Sequence, residues 1–104
     1  VPENKFILAP CVEVELWAIW AFIAKDNPDA ATRVVEAAYE TFTTLASSPG
    51  LGRLRKFCNP RLKGIRSWHV AGFDNYLIFY RSVAGEIQVL HVYHGARDLE
   101  ALFD

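Results

Sequence analysis

The spacing of apolar residues changes period several times along this chain. Lys5 to Leu8 alternates polar with apolar, the pattern of a short edge strand. From Cys11 to Lys25, Val12, Leu16, Ile19 and Ile23 recur at helical spacing and define one apolar face. Asp26-Asn27-Pro28-Asp29 then stops one helix and starts another. Asn27 suits the N-cap, Pro28 the first helical position, and Asp29 complements the helix dipole. The second helix is predicted to run to about Ala46, with Ala31, Val34, Val35, Ala38, Phe42 and Leu45 on its buried stripe, and Ser47-Ser48-Pro49-Gly50 ends it. So short a connection makes the helices an antiparallel hairpin.

Residues 50–65 carry Gly50, Gly52, Pro60 and Gly64 with little periodicity, which reads as a loop. Three strand-like runs follow: Ile65 to Ala71, Tyr76 to Val83 and Ile87 to Tyr93. Gly72-Phe73-Asp74-Asn75 and Ala84-Gly85-Glu86 separate them, short enough for hairpins. The predicted order is an N-terminal strand, an antiparallel two-helix hairpin and a three-stranded antiparallel meander. One sheet covered by a helical hairpin is the economical α+β arrangement.

Composition narrows the class. The chain has 104 residues, 52% of them hydrophobic, enough to bury a core without staples. With no repeats, low-complexity tracts or linkers, residues 1–104 read as a single domain. The two cysteines, Cys11 and Cys58, form no CxxC and no His/Cys pair at metal-ligand spacing. The expectation is two reduced thiols in a cytoplasmic protein, with no disulfide, metal or cofactor. The longest apolar run, Leu16 to Ala24, is too short to span a bilayer, so no membrane association is expected. The sequence opens on Val1, and an initiator methionine or short leader is expected ahead of it.

Net charge is -1, which argues against a general nucleic-acid binder. Its distribution is uneven. Residues 1–40 hold seven acids and three bases, residues 41–73 no acid and six bases, and residues 74–104 five acids and two bases. The central six, Arg53, Arg55, Lys56, Arg61, Lys63 and Arg66, are a candidate surface for an acidic target; the plainer reading is a solvated basic loop.

Four segments carry a family resemblance. Ala24-Lys25-Asp26-Asn27-Pro28-Asp29-Ala30-Ala31 resembles the helix junction of ParE-type toxins, and Leu45 to Arg53 their helix-to-loop exit. Asn75-Tyr76-Leu77-Ile78-Phe79-Tyr80-Arg81 and Val92-Tyr93-His94-Gly95-Ala96-Arg97-Asp98 resemble their last two strands. In this order and spacing they cover nearly the whole chain, which therefore resembles the RelE/ParE toxin superfamily on its ParE branch. The resemblance implies an antiparallel sheet with two helices packed on it. It also implies the toxin of a type II toxin–antitoxin (plasmid stabilisation) system, which inhibits DNA gyrase by protein contact and forms a hetero-oligomer with a ParD-like antitoxin. Direct nucleic-acid binding is not expected.

RelE-type members instead cleave mRNA on the ribosome. That chemistry needs a group to activate the ribose 2′-hydroxyl, cations for the pentacoordinate phosphate and an acid for the leaving oxygen. The family's lysine positions fall here on Trp68 and Val70, its strand arginine on Leu77, and Phe103 stands near its C-terminal tyrosine; only Arg97 matches. The chain is therefore expected to have no catalytic residues. The alternatives are an endoribonuclease using a rearranged His94/Arg97 site and a non-toxic, partner-binding member. His94 and Arg97 join the basic segment as target-surface candidates, against a structural reading in which Arg97 and Asp98 fix the tail. His69 and His91 read as packing or rim residues without an evident partner, and Tyr76, Phe79, Tyr80 and Tyr93 as core. Trp17 and Trp20, with Ala21 and Ala24 alongside, fall on the far side of helix one and are candidates for an antitoxin or oligomer contact; cover by the chain's own ends is the alternative.

Overall fold

The computed structural model describes residues 6–95. Strand β1 (Phe6–Leu8) leads into helix α1 (Pro10–Ala24) and helix α2 (Pro28–Ser47). Strands β2 (Arg53–Leu54), β3 (Arg66–Val70), β4 (Phe73–Val83) and β5 (Glu86–His94) follow, with short 3-10 turns at Pro49–Leu51 and Pro60–Leu62. Asn27 caps α2 as its position predicts: its Oδ1 accepts from the Ala30 N–H at 3.1 Å, and Pro28 opens the helix.

The strands form one five-stranded sheet in the order β1-β5-β4-β3-β2. This corrects the expected architecture in two ways. The sheet is mixed rather than wholly antiparallel, because β1 pairs in parallel with β5, Phe6 beside Ile87 and Leu8 beside Val89. It also has a strand more than expected, since β2 adds an outer edge against β3, with Arg53 opposite Ser67 and Leu54 opposite Arg66. The β3–β4 connection is tighter than predicted. Gly72 at φ 83° makes the turn, and Phe73, Asp74 and Asn75 belong to β4. Between β4 and β5 the two-residue loop Ala84-Gly85 has φ 52° and 82°, the positive pair of a hairpin turn that follows the strands' twist.

Alternation along β4 and β5 separates two apolar layers. Ile78, Tyr80, Val89 and Val92 join Val12, Leu16, Ala38, Phe42 and Leu45 in the core between sheet and helices. Phe79 and Tyr93, one residue out of step and hence on the opposite face, pack with Leu62 and Ile65, flanked by Phe57, Leu77 and Leu90. The segment expected as a loop thus covers the back of the sheet with Phe57, Leu62 and Ile65.

Its start is clamped by Tyr80. That hydroxyl donates to the Pro49 carbonyl at 2.6 Å and accepts from the Gly52 N–H at 2.8 Å. Burial raises the phenol's pKa above its ordinary value, with smaller opposing pulls from the Gly52 hydrogen bond and Arg66. Gly52 is required by close approach, because a Cβ there would stand 2.3 Å from the Tyr80 oxygen. A second clamp joins α2 to the β3–β4 turn: the buried Thr41 hydroxyl donates to Ala37 O and accepts from the Ala71 N–H at 3.0 Å.

Candidate partner-binding site

Helix α1 is apolar nearly all round, and a 15-residue helix of that kind has to be covered on more than one side. Its own fold covers one side. Val12 and Leu16 are buried, while Ile19 and Ile23, expected in the core, are only half-buried. Toward solvent it turns Val14 (66% exposed), Trp17 (63%) and Phe22 (70%), with Ala18 also exposed. Lys25 stands over the Phe22 ring at 5.9 Å.

A groove follows each flank of this ridge. Toward α2, a cleft of about 430 Å³ is lined by Trp17, Trp20, Leu16, Val35, Tyr39 and Glu13. Toward the sheet, a larger groove of about 580 Å³ runs between Ile19 and Phe22 on α1 and Tyr76, Val92 and His94 on the strands. The two tryptophans stack with ring centroids 5.4 Å apart and planes 12° from parallel. They differ in role. The Trp20 Nε1–H donates to Thr32 Oγ1 at 3.2 Å and ties α1 to α2, whereas Trp17 stands outside it. Ala21 and Ala24 are half-buried beside them. The sequence reading missed Val14, Phe22 and Tyr39. The available signal was the absence of any polar stripe on α1.

The basic candidates differ in burial, although Arg55, Lys56 and Lys63 line one shallow cleft. Arg53, Lys56, Arg61 and Lys63 are exposed along the β2 edge and the segment after it. Arg55 and Arg66 are half-buried and engaged: Arg66 donates to the Gly52 carbonyl at 2.8 Å, and Arg55 reaches Ser67 Oγ at 3.5 Å with its guanidinium 6.0 Å from the Phe79 ring centroid. His94 is exposed at the far end of the sheet, paired with Tyr76 in register and edge-on to its ring at 5.4 Å. Arg66, by contrast, lies level with Tyr80, four residues along β4 from the Tyr76 level of His94. Arg97, Asp98 and Phe103 lie outside the described residues.

The remaining histidines have partners that the sequence did not reveal. His69 Nε2 lies 3.7 Å from Asp74, across the β3–β4 turn. His91 Nδ1 lies 2.6 Å from Glu15 Oε2, and Cys11 Sγ is 3.6 Å from the same nitrogen. These side chains also finish the sheet. Beyond the end of β1, the Cys11 thiol donates to the Leu90 carbonyl at 3.2 Å and Glu15 Oε1 accepts the Val92 N–H at 2.9 Å, so α1 satisfies the edge of β5 that no strand covers. Burial, and then the charge of Glu15, raises the Cys11 thiol's pKa above its ordinary value, while a backbone hydrogen bond lowers it. That is the opposite of an activated nucleophile. Cys58 is exposed. Among the described residues no helix is long and apolar enough to cross a membrane.

The comparison with known families decides the class. The family model described as the ParE toxin of the type II toxin-antitoxin system parDE matches residues 6–99, nearly the whole chain. The chain belongs to the ParE toxin family. Among solved structures it is similar to a chain of the chromosomal ParDE TA system from P. aeruginosa, with a TM-score of 0.68 at 20% identity over 86% of this chain and 94% of that one. At that identity the likeness speaks for the fold, two helices on a mixed five-stranded sheet. No curated protein matches the chain significantly.

Proposed function

We propose that this ParE-family toxin is held in check by a ParD-like antitoxin laid along the outward face of α1, and that it inhibits DNA gyrase by contact, without bond-breaking chemistry of its own. The observation that carries the antitoxin part is the apolar ridge of Val14, Trp17 and Phe22 with a groove on either side. Large aromatic side chains standing beside concave apolar ground are what an amphipathic segment buries when it orders on binding. Trp17, Trp20, Ala21 and Ala24 belong to the same contact, with Trp20 holding the platform and Trp17 meeting the partner.

The non-enzymatic reading rests on three positions. Where RelE-type toxins place cationic groups, this chain has Val70, fully buried, Trp68, packed against the main core, and Leu77, packed against the second. A site rebuilt in apolar side chains lacks the charge to stabilise a pentacoordinate phosphate. For the target, the exposed part of the basic segment (Arg53, Lys56, Arg61 and Lys63) offers an acidic surface something to meet, with His94 and Arg97 as a second contact.

The test is inducible expression in the cytoplasm with and without the antitoxin, scoring DNA breakage and mRNA cleavage in the same cells. DNA breakage without ribosome-dependent cleavage is expected. mRNA fragments that vanish on Arg97→Ala would overturn the gyrase assignment in favour of an endoribonuclease built on His94 and Arg97.

A further inference from the structure

We propose that Cys11, Glu15 and His91 bind a divalent ion of the zinc class at the seam between α1 and β5. This does not rest on the antitoxin or gyrase reading, although Glu15 and Tyr93 also line the sheet-side groove, and it departs from the expectation of no metal, which rested on local spacing alone. His91 lies 76 and 80 positions from Glu15 and Cys11, so no short motif could announce the three together.

The donor set comes first. A thiol sulfur, an imidazole nitrogen and a carboxylate oxygen together suit a borderline ion such as Zn²⁺ or Co²⁺ better than Mg²⁺ or Ca²⁺, which favour all-oxygen shells. Deprotonated Cys11 and ionised Glu15 would balance the ion's two charges, and the thiol proton would leave to solvent.

Geometry comes second. The three donor atoms all lie within 4.8 Å of one another. Tetrahedral bonds of ~2.0–2.3 Å hold neighbouring donors roughly 3.3–3.6 Å apart. The Sγ to Nδ1 separation of 3.6 Å already has that length. The Nδ1 to Oε2 separation is the hydrogen-bonding 2.6 Å, and a small rotation of the Glu15 carboxylate would open it.

The scaffold is third. Cys11 and Glu15 are four residues apart on α1 and so share a face. The Val92 N–H holds Glu15 Oε1, which leaves Oε2 turned to the centre. The Tyr93 ring stacks on the His91 imidazole at 4.7 Å and 17°, fixing its plane. Outer contacts of this sort orient ligands in metal sites. The Tyr93 hydroxyl also lies 2.8 Å from Nδ1. Two oxygens and a sulfur therefore gather round a nitrogen that has a single in-plane bonding position. A cation at their centre would give each of them a bond. A catalytic Cys-His-Glu relay would need opposite nitrogens of the ring, and here thiol and carboxylate meet the same one.

The test uses tag-free full-length protein carrying Cys58→Ser, so that the thiolate signal has one source. Titration with Co²⁺ should give one ion per chain, with thiolate-to-cobalt charge-transfer absorption in the near ultraviolet. Cys11→Ser, which keeps a donor for the Leu90 carbonyl, should abolish that band, and His91→Ala or Glu15→Gln should weaken binding more than about tenfold. Zn²⁺ should displace the cobalt, raise the melting temperature and protect Cys11 from maleimide alkylation. The protection measurement needs no ligand variant, so it decides the matter if one of them fails to fold. Folded protein that gives no band and no protection would overturn the proposal, as would a band that survives Cys11→Ser.

Discussion

Replacing Tyr80 by phenylalanine removes one oxygen atom and should loosen the joint between α2, the basic segment and the sheet. The ring is fully buried, and its hydroxyl serves two backbone groups at once, the Pro49 carbonyl at 2.6 Å and the Gly52 N–H at 2.8 Å. Leaving a buried donor without its acceptor costs about 1–3 kcal/mol. Gly52 is buried and should bear that cost in full, whereas half-buried Pro49 can turn its carbonyl toward water. The expected loss is therefore about 2–3 kcal/mol at neutral pH, a fall of roughly 8–20 °C in melting temperature for a domain of this size. Urea denaturation followed by circular dichroism would measure it. The pH dependence supplies an internal check. Because burial raises the folded-state pKa of Tyr80, the hydroxyl's contribution is fully present below the unfolded value of about 10. Above that pH the unfolded chain ionises first, so stability falls as pH rises toward the folded pKa. The gap between wild type and Tyr80→Phe should stay constant from neutral pH upward and narrow beyond about pH 10. A neutral-pH difference below about 0.5 kcal/mol would refute the clamp, since that is the range of an inert substitution.

Gly52→Ala should destabilise by about 1–3 kcal/mol, because its Cβ would meet the Tyr80 oxygen at 2.3 Å and a ring that cannot swing aside; unfolding curves unchanged from wild type would contradict this. Ala84→Asn should stabilise by about 0.5–1 kcal/mol, since asparagine tolerates the left-handed φ of 52° better than alanine; thermal melts read the sign. Trp17→Ala combined with Phe22→Ala should weaken antitoxin binding well over about tenfold by calorimetry while unfolding shifts little; normal binding would remove α1 from the interface. Reversing the exposed Arg53, Lys56 and Lys63 to Glu should abolish toxicity at a stability cost of roughly 0.5 kcal/mol each or less, and a folded triple variant that still kills would leave the patch a solvated face.

What the sequence disclosed depended on how far apart the informative residues lie. Helix α2 was legible almost to the residue, because its cap, its proline and most of its buried stripe are local and agree; Val35, expected on that stripe, is only half-buried, and the buried Thr41 was not expected there. The strands of the meander were legible as runs, though not at their ends: the β3–β4 turn needs only Ala71-Gly72, and Phe73 rejoins the sheet because its side chain packs on the main core. The direction of β1 was not legible, since three residues encode no polarity and their partner lies some eighty residues away. Nor was β2, whose two residues owe their pairing to the anchoring of Gly52 by Tyr80.

The same limit separates the two kinds of site on α1. The proposed partner surface leaves a local trace, a helix with too many apolar residues for the core it faces, and the tryptophans carry that trace in the sequence. The faces were assigned imperfectly because the apolar stripe continues round the helix. Ile23, expected in the core, is only half-buried, and Ile19, though it packs against the core, also lines the sheet-side groove with Phe22. A cluster such as Cys11, Glu15 and His91 leaves no local trace, because each member has an ordinary structural use. The thiol and the carboxylate finish the open edge of β5, and the imidazole stacks on Tyr93. Only when β1 stops short and α1 lies across that edge do the three meet. The feature that assembles them is the brevity of β1, so lengthening it to pair with Leu90 and Val92 would displace Cys11 and Glu15 from the strand and disperse the cluster.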